Sequence, residues 1–329
     1  MPGPPRPTED TPARAIVLIL LGMVFITAND SLIKALSGDY PLHQMVFIRS
    51  AIGLSVSLVI LQFEGGFSEL RTATPGLHIV RGLFVVLSNM LYFAALATLP
   101  LATAVSIFFV APLLITLMSI LFLKERVGLH RGGAILVGFA GVLVMSQPGS
   151  GGGADAPAFW VLLLPVAAAA AYAGMQVMTR SLGVYSKASA LAVYIQTVFL
   201  LVSIGFFVVA GDGRYAEGVE HESLVFLLRA WVWPTPEDWP LFLLLGLCSG
   251  AIGYSLSSAY KLGNAATVSS FEYAALPMAI FVGWSVFGEM PDFWVLIGTV
   301  MIAGAGIYVF MRERMRRSPV APRRPLRRG

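Results

Sequence analysis

The chain has 329 residues, 57% of them hydrophobic and only 12% charged, with a formal net charge of +4. A soluble domain carries about 25% charged residues; this one has too little polar surface to stay dissolved, and its mean hydropathy of +0.79 places it in a bilayer. A single cysteine, Cys248, excludes a disulfide framework or a cysteine metal site and reads as a small buried apolar residue.

The N-terminal stretch 1–14 is rich in Pro, Thr and acidic residues, too polar to bury, and reads as a short disordered cytoplasmic lead. The apolar run after Arg14 lasts about 22 residues, beyond the usual 7–15 of a signal-peptide core. A bilayer-spanning helix needs about 20 apolar residues. Ten segments meet or approach that length: Ala15–Leu36, Leu42–Leu61, Leu77–Ala97, Thr103–Leu123, Arg131–Ser146, Phe159–Arg180, Ala188–Ala210, Trp239–Tyr260, Ala266–Phe287 and Asp292–Met311. The expected fold is an all-α integral membrane protein of ten transmembrane helices. Gly211–Asp238 is the one long connection, and its Leu224–Trp233 stretch reads as an interfacial segment with a tryptophan belt, a substrate lid being the alternative.

Basic residues set the orientation. With the N-terminus in the cytoplasm, that side receives Arg6, Arg14, Arg71, Arg81, Lys124, Arg126, Arg131, Arg180, Lys187, Lys261 and the arginines of the tail 312–329, which reads as disordered against anionic lipid. The opposite side receives only Arg214 and Arg229. Both termini are therefore expected in the cytoplasm.

The chain also repeats itself. Ala94–Met145 and Ser258–Phe310 each lead from a polar connection into an apolar helix with one proline, Pro112 or Pro277. That helix ends at a lone glutamate, Glu125 or Glu289, before a glycine-rich helix (Gly133, Gly138, Gly141; Gly298, Gly304, Gly306). Phe47-Ile48-Arg49-Ser50 likewise matches Tyr194-Ile195-Gln196-Thr197. The halves are 15–146 and 159–311, joined by the Gly/Ser/Pro linker 147–158. Five spans in each half require opposite orientations, an inverted repeat.

These paired patterns resemble the EamA family of the drug/metabolite transporter superfamily over about residues 15–311. The resemblance implies a bacterial inner-membrane secondary carrier for small organic molecules. It also implies a central cavity lined mainly by the first, third and fourth helices of each half, with the fifth helices outside. Amino-acid-like or similar amphipathic solutes and riboflavin-type vitamins are both within its range, inward or outward.

No hydrolytic, Walker or metal-binding motif is present, so neither catalysis nor a cofactor is expected; an intramembrane enzyme and a non-transporting scaffold remain as rival classes. The informative groups are polar residues inside the spans, where a charge costs about 2.5–3.5 kcal/mol on insertion scales. Asp30 and Arg49 each lie about 10 Å below the outer surface at 1.5 Å per residue and can meet. They form either a structural pin or a proton or substrate site. Asp30 and Lys34 are i, i+4 neighbours, and Lys34 is also placed to snorkel. Glu272, on the ninth span with no basic neighbour in sequence, is the sharpest candidate for substrate or proton binding; a satisfied carboxylate bonded to Gln196, Gln176 or a tyrosine is the alternative. Asn89, Tyr92, Ser106, Phe109, Tyr254, Ser257, Ser270 and Tyr273 are expected around a cavity for a small amphipathic solute, with Pro112 and Pro277 as bends or fixed kinks. The glycines of the fifth and tenth spans read as close-packing surfaces, internal or between protomers. Expected partners are a small-molecule substrate, lipid and, as an open alternative, protons, in a monomer or homodimer; nucleic acid is not expected.

Overall fold

The computed structural model describes residues 12–71, 75–123, 129–145, 159–182, 188–262 and 271–317, and among these it is helical with no strand. Helix α1 spans Pro12–Leu36, α2 Leu42–Glu64, α3 Pro75–Leu96, α4 Leu101–Phe108, α5 Ala111–Leu123 and α6 Leu129–Met145. They are followed by α7 Phe159–Leu182, α8 Ala188–Ala210, α9 Glu222–Leu228, α10 Trp239–Leu262, α11 Ala275–Phe287 and α12 Phe293–Arg317. Six of them, α1, α2, α3, α7, α8 and α10, are long and apolar enough to cross a membrane. Their outward faces carry large apolar side chains such as Val59, Leu87, Leu201 and Val208, which a hydrocarbon solvent accepts without cost.

Local chemistry explains the boundaries. Pro41 stands extended before α2, and Gly65, at φ 138°, ends it with its N–H on Leu61 O. Gly288, at φ 68°, turns the chain out of α11, with Glu289 N bonding Gly283 O at 2.8 Å, the left-handed glycine termination that releases a helix without a Cβ clash. Helix α12 runs on to Arg317, so Arg312–Arg317 are helical where a disordered tail is expected. That stretch has no helix breaker before Pro319.

The expected span Thr103–Leu123 is two helices, because Pro112 has no N–H to give and its ring crowds the carbonyl four residues back. Around the break the ladder shortens, with Val110 N on Ile107 O and Leu113 N on Val110 O. The same happens before Pro277, where Ala274 N bonds Phe271 O and Leu276 N bonds Tyr273 O. Residues 124–128, 146–158, 263–270 and 318–329, and with them Glu125, the linker and Ser270, lie outside the described residues.

Packing is pairwise: α1 lies on α10, α2 on α8, α3 on α7, α4 on α11 and α6 on α12. Glycines set several of these contacts. A Cβ on Gly246 or Gly250 would press into Ile52 or Val56, and one on Gly141 would lie 3.0 Å from Gly298 O. Gly138, Gly141, Gly298 and Gly306 thus face neighbouring helices within the chain, whereas Gly133 and Gly304 face open space.

The loop between α8 and α10 is docked onto the helix bundle. Phe226 of α9 is 1% exposed, and the Trp231 ring packs among His43, Phe47 and Phe207. Gln44 holds the loop twice, donating to Val232 O at 2.5 Å and accepting from Val232 N at 3.0 Å. Arg229 donates to Gly38 O. Tyr40 and Thr235 donate to one Asp238 oxygen at 2.6 and 2.8 Å, and these bonds hold the Asp238 carboxyl below its ordinary pKa. The indole of Trp233 stands far out, 83% exposed.

Candidate functional site

A cavity of about 420 Å³ lies between these helices. It extends from Asp30, Arg49 and Tyr92 towards the far ends of α2 and α10, where Glu64 and Ser258 line it. Helices α1, α2, α3, α4, α5, α7, α8 and α10 contribute, as do Glu272 and Ala275 around the second proline break. The second helices of both halves therefore share in the lining, beyond the set the resemblance implies. The reason is that α2 and α8 pack on each other and bring Arg49 and Gln196 to the centre. Among the described residues, α6 and α12 contribute none to the lining.

Asp30 and Arg49 share this cavity without an ion-pair contact. Asp30 accepts from the Tyr92 hydroxyl at 2.9 Å and from Asn29 Nδ2 at 3.2 Å. Arg49, 4% exposed, donates to Asn29 Oδ1 and Asn89 Oδ1, both at 3.4 Å, and its Nε has no partner. Phe93 and Phe199 lie 5.6 and 5.2 Å from its guanidinium carbon, within cation–π range. The pair is thus bridged by Asn29, not by direct contact.

Lys34 does not pair with Asp30, nor does it snorkel. Its Nζ lies 2.9 Å from Glu289 and donates to Leu99 O at 2.6 Å and Leu96 O at 3.4 Å. Glu289 in turn accepts from Leu101 N at 2.9 Å. The cation therefore caps the carbonyl end of α3 and the carboxylate caps the N–H end of α4, each at the helix pole of opposite sign. This cluster closes the bundle at the Lys34 end.

Glu272 lines the cavity, is engaged within the protein, and lies within electrostatic reach of the Tyr172 and Tyr273 hydroxyls. Gln176 is occupied by Tyr172 at 2.8 Å and Gln196 by Ser249 at 3.0 Å. Gln196 Oε1 has no partner. Asn89, Tyr92, Tyr254 and Pro112 line the cavity too. Tyr273 and Pro277 are not among its lining residues: Tyr273 turns its ring onto Phe109, 5.1 Å between centroids, and its hydroxyl against Gly306, while Pro277 is exposed. Ser106 bonds Thr299 of α12 at 2.8 Å, a helix-packing contact. Sequence reasoning passed over Tyr172, Phe199, Ser249 and Glu64. Tyr172 stands four residues before Gln176 and Phe199 three after Gln196, a same-face spacing that could have found them. Among the described residues no cluster of His, Cys, Asp or Glu could hold a metal ion.

Comparison with known proteins finds transporters among the relatives of this chain. Residues 13–147 match the model of the EamA-like transporter family. A riboflavin transporter of Rhizobium johnstonii is 29% identical over 93% of this chain and 94% of its own. A pseudopaline exporter of Pseudomonas aeruginosa is 28% identical over 89% of this chain and 94% of its own. One solved crystal structure superposes with a TM-score of 0.59 at 22% identity, covering 93% of this chain and 99% of that one; it bears on the fold alone.

Proposed function

We infer that this chain, whose residues 13–147 match the EamA-like transporter family, is a secondary-active permease of that family that moves a small amphipathic organic metabolite by alternating access across a bacterial inner membrane. The observation that carries this is an elongated cavity at two proline-broken helices, with polar groups at its centre and apolar walls. Broken helices at a central site are how membrane proteins place free backbone groups where a solute needs them.

The ten-span, two-half arrangement fits the packing. Exchanging the halves, so that α1 takes the place of α7 and α3 that of α10, turns the α1–α10 contact into the α7–α3 contact. It leaves α2–α8, α4–α11 and α6–α12 as self-matching pairs. With basic residues in the cytoplasm, the Lys34–Glu289 cluster and the docked loop lie on the outer side. The cavity then opens towards the inner ends of α2 and α10, and the conformation is inward-facing. Glu272 and Asp30 are the groups placed to exchange protons with a solute. A vitamin-uptake reading is favoured by a riboflavin transporter being among the relatives, whereas an exporter is another.

The test is transport in proteoliposomes loaded in turn with riboflavin, amino acids and organic acids. Wild-type protein should accelerate entry or exit of one class, and Glu272→Gln should lose that acceleration while inserting normally. Unchanged transport by Glu272→Gln would remove this residue from the mechanism. A folded wild type that moves nothing in the panel, while showing hydrolytic or group-transfer activity without a gradient, would favour the enzyme class.

A further inference from the structure

Resting on the transporter reading above, we propose that Arg49 is the anchor for a carboxylate on the transported solute. The argument starts from what a buried arginine requires. A guanidinium carries five N–H donors and no acceptor, and an uncompensated charge in a low-dielectric interior is costly unless it is paired and hydrogen-bonded. Arg49 meets only part of that requirement from within the protein. Its two bonds go to neutral amide oxygens and lie at the long limit of hydrogen bonding, and its Nε is unpartnered.

Asp30, the nearby anion, does not complete the set. Its two oxygens accept from Tyr92 and Asn29, and it makes no ion-pair contact with the guanidinium. Asp30 moderates the cost of the buried cation at a distance and leaves the donors unfilled. Phe93 and Phe199 also stand 5.6 and 5.2 Å from the Arg49 guanidinium carbon. Such rings interact with its flat surface, so further hydrogen bonding is left to its in-plane edge. A rigid fork offering parallel N–H groups along one edge matches a planar carboxylate, which it binds with two bonds. Because Arg49 lines the cavity, a solute can reach it. The body of the solute would then lie on Phe108, Phe109 and Tyr172 further along the wall. The ligand class that follows is an organic carboxylate with an apolar or aromatic body.

The full-length protein in detergent would be titrated with phenylpropanoate, indolepropanoate and naphthoate, each matched with its primary amide and with the corresponding sulfonate. Binding is read from the shift in melting temperature. At least one carboxylate should bind about ten- to hundredfold more tightly than its amide, the range for hydrogen bonds to a charged group. The sulfonate, which lacks the planar two-oxygen edge, should bind more weakly than the carboxylate. Arg49→Lys should weaken the carboxylate while retaining part of its advantage over the amide, and Arg49→Gln should erase that advantage. Melting of each ligand-free variant reports folding, and the carboxylate-to-amide ratio within one folded variant does not depend on its stability. Equal binding of carboxylates and amides by the wild type, no carboxylate-dependent shift across the panel, or an unchanged ratio in Arg49→Gln would each overturn the proposal. Carriage of a neutral solute in proteoliposomes with Arg49→Gln fully active would sink the anchor and leave the transporter reading standing. A chain that carries no solute would remove the reading itself.

Discussion

A glycine at the right place in a helix is worth more than its propensity suggests. Gly141 and Gly298 bring α6 and α12 into backbone contact, and a Cβ on Gly298 would lie 2.6 Å from Gly141 O. Since backbone cannot yield as a side-chain tip can, Gly298→Ala should lower stability by about 1–3 kcal/mol, the usual cost of overpacking. Gly304, where an added Cβ would meet nothing within 4 Å, should instead tolerate alanine or gain up to about 1 kcal/mol from helix propensity. Melting of the two variants in the same detergent checks the contrast; equal effects would mean that α6 and α12 do not touch there. The sequence marks both glycines as small residues in an apolar run but does not say which face each occupies, because the facing helix is set by tertiary packing.

Helix ends carry the second set of expectations. Lys34 and Glu289 hold the turn between α3 and α4 from both sides, so Lys34→Met or Glu289→Gln should loosen this end of the bundle. The loss is about 1.5–3 kcal/mol, the range for hydrogen bonds to charged groups, and faster amide exchange at Leu99–Thr103 would report it. This partnership was hidden in the sequence: Lys34 has Asp30 one turn away, whereas Glu289 comes near only once Gly288 has turned the chain. The docked loop behaves differently with pH. Because Tyr40 and Thr235 hold Asp238 below its ordinary pKa, the tie favours the carboxylate. It is fully present above the ordinary aspartate value of about 4 and is lost as pH falls through the lowered value. Proteolysis of the loop at Gly211–Asp238 should therefore accelerate in acid for the wild type and be insensitive to that step in Asp238→Asn.

At the scale of the molecule the proposed cycle requires the Lys34 end to part while the opposite end closes. A short bifunctional thiol reagent joining Lys34→Cys to Glu289→Cys should stop transport, and a cleavable version should restore it on reduction. The one native cysteine, Cys248, is buried and should contribute little background. Continued transport by the linked protein would mean that this end does not open. Much of this architecture was readable in advance, since bilayer length and hydrophobic runs locate most helices, and Asp30, Arg49 and Glu272 stand out as polar groups where polarity is costly. The break before each proline was readable as a kink but not as an interruption. The crossing of α2 and α8 at the cavity was not readable, because both are apolar on most faces and nothing local fixes which side meets which.

Opening the Lys34–Glu289 cluster would strip partners from Leu96 O, Leu99 O and Leu101 N, backbone groups at helix termini that cannot find replacements within their own helices. Only solvent can supply them. Each opening therefore takes up water at the turn, and the step becomes sensitive to the thermodynamic activity of water itself. Turnover limited by this step should slow when an excluded osmolyte such as sucrose is added to that face of the vesicle alone, at constant solute gradient, and the same osmolyte on the other face should leave it unchanged.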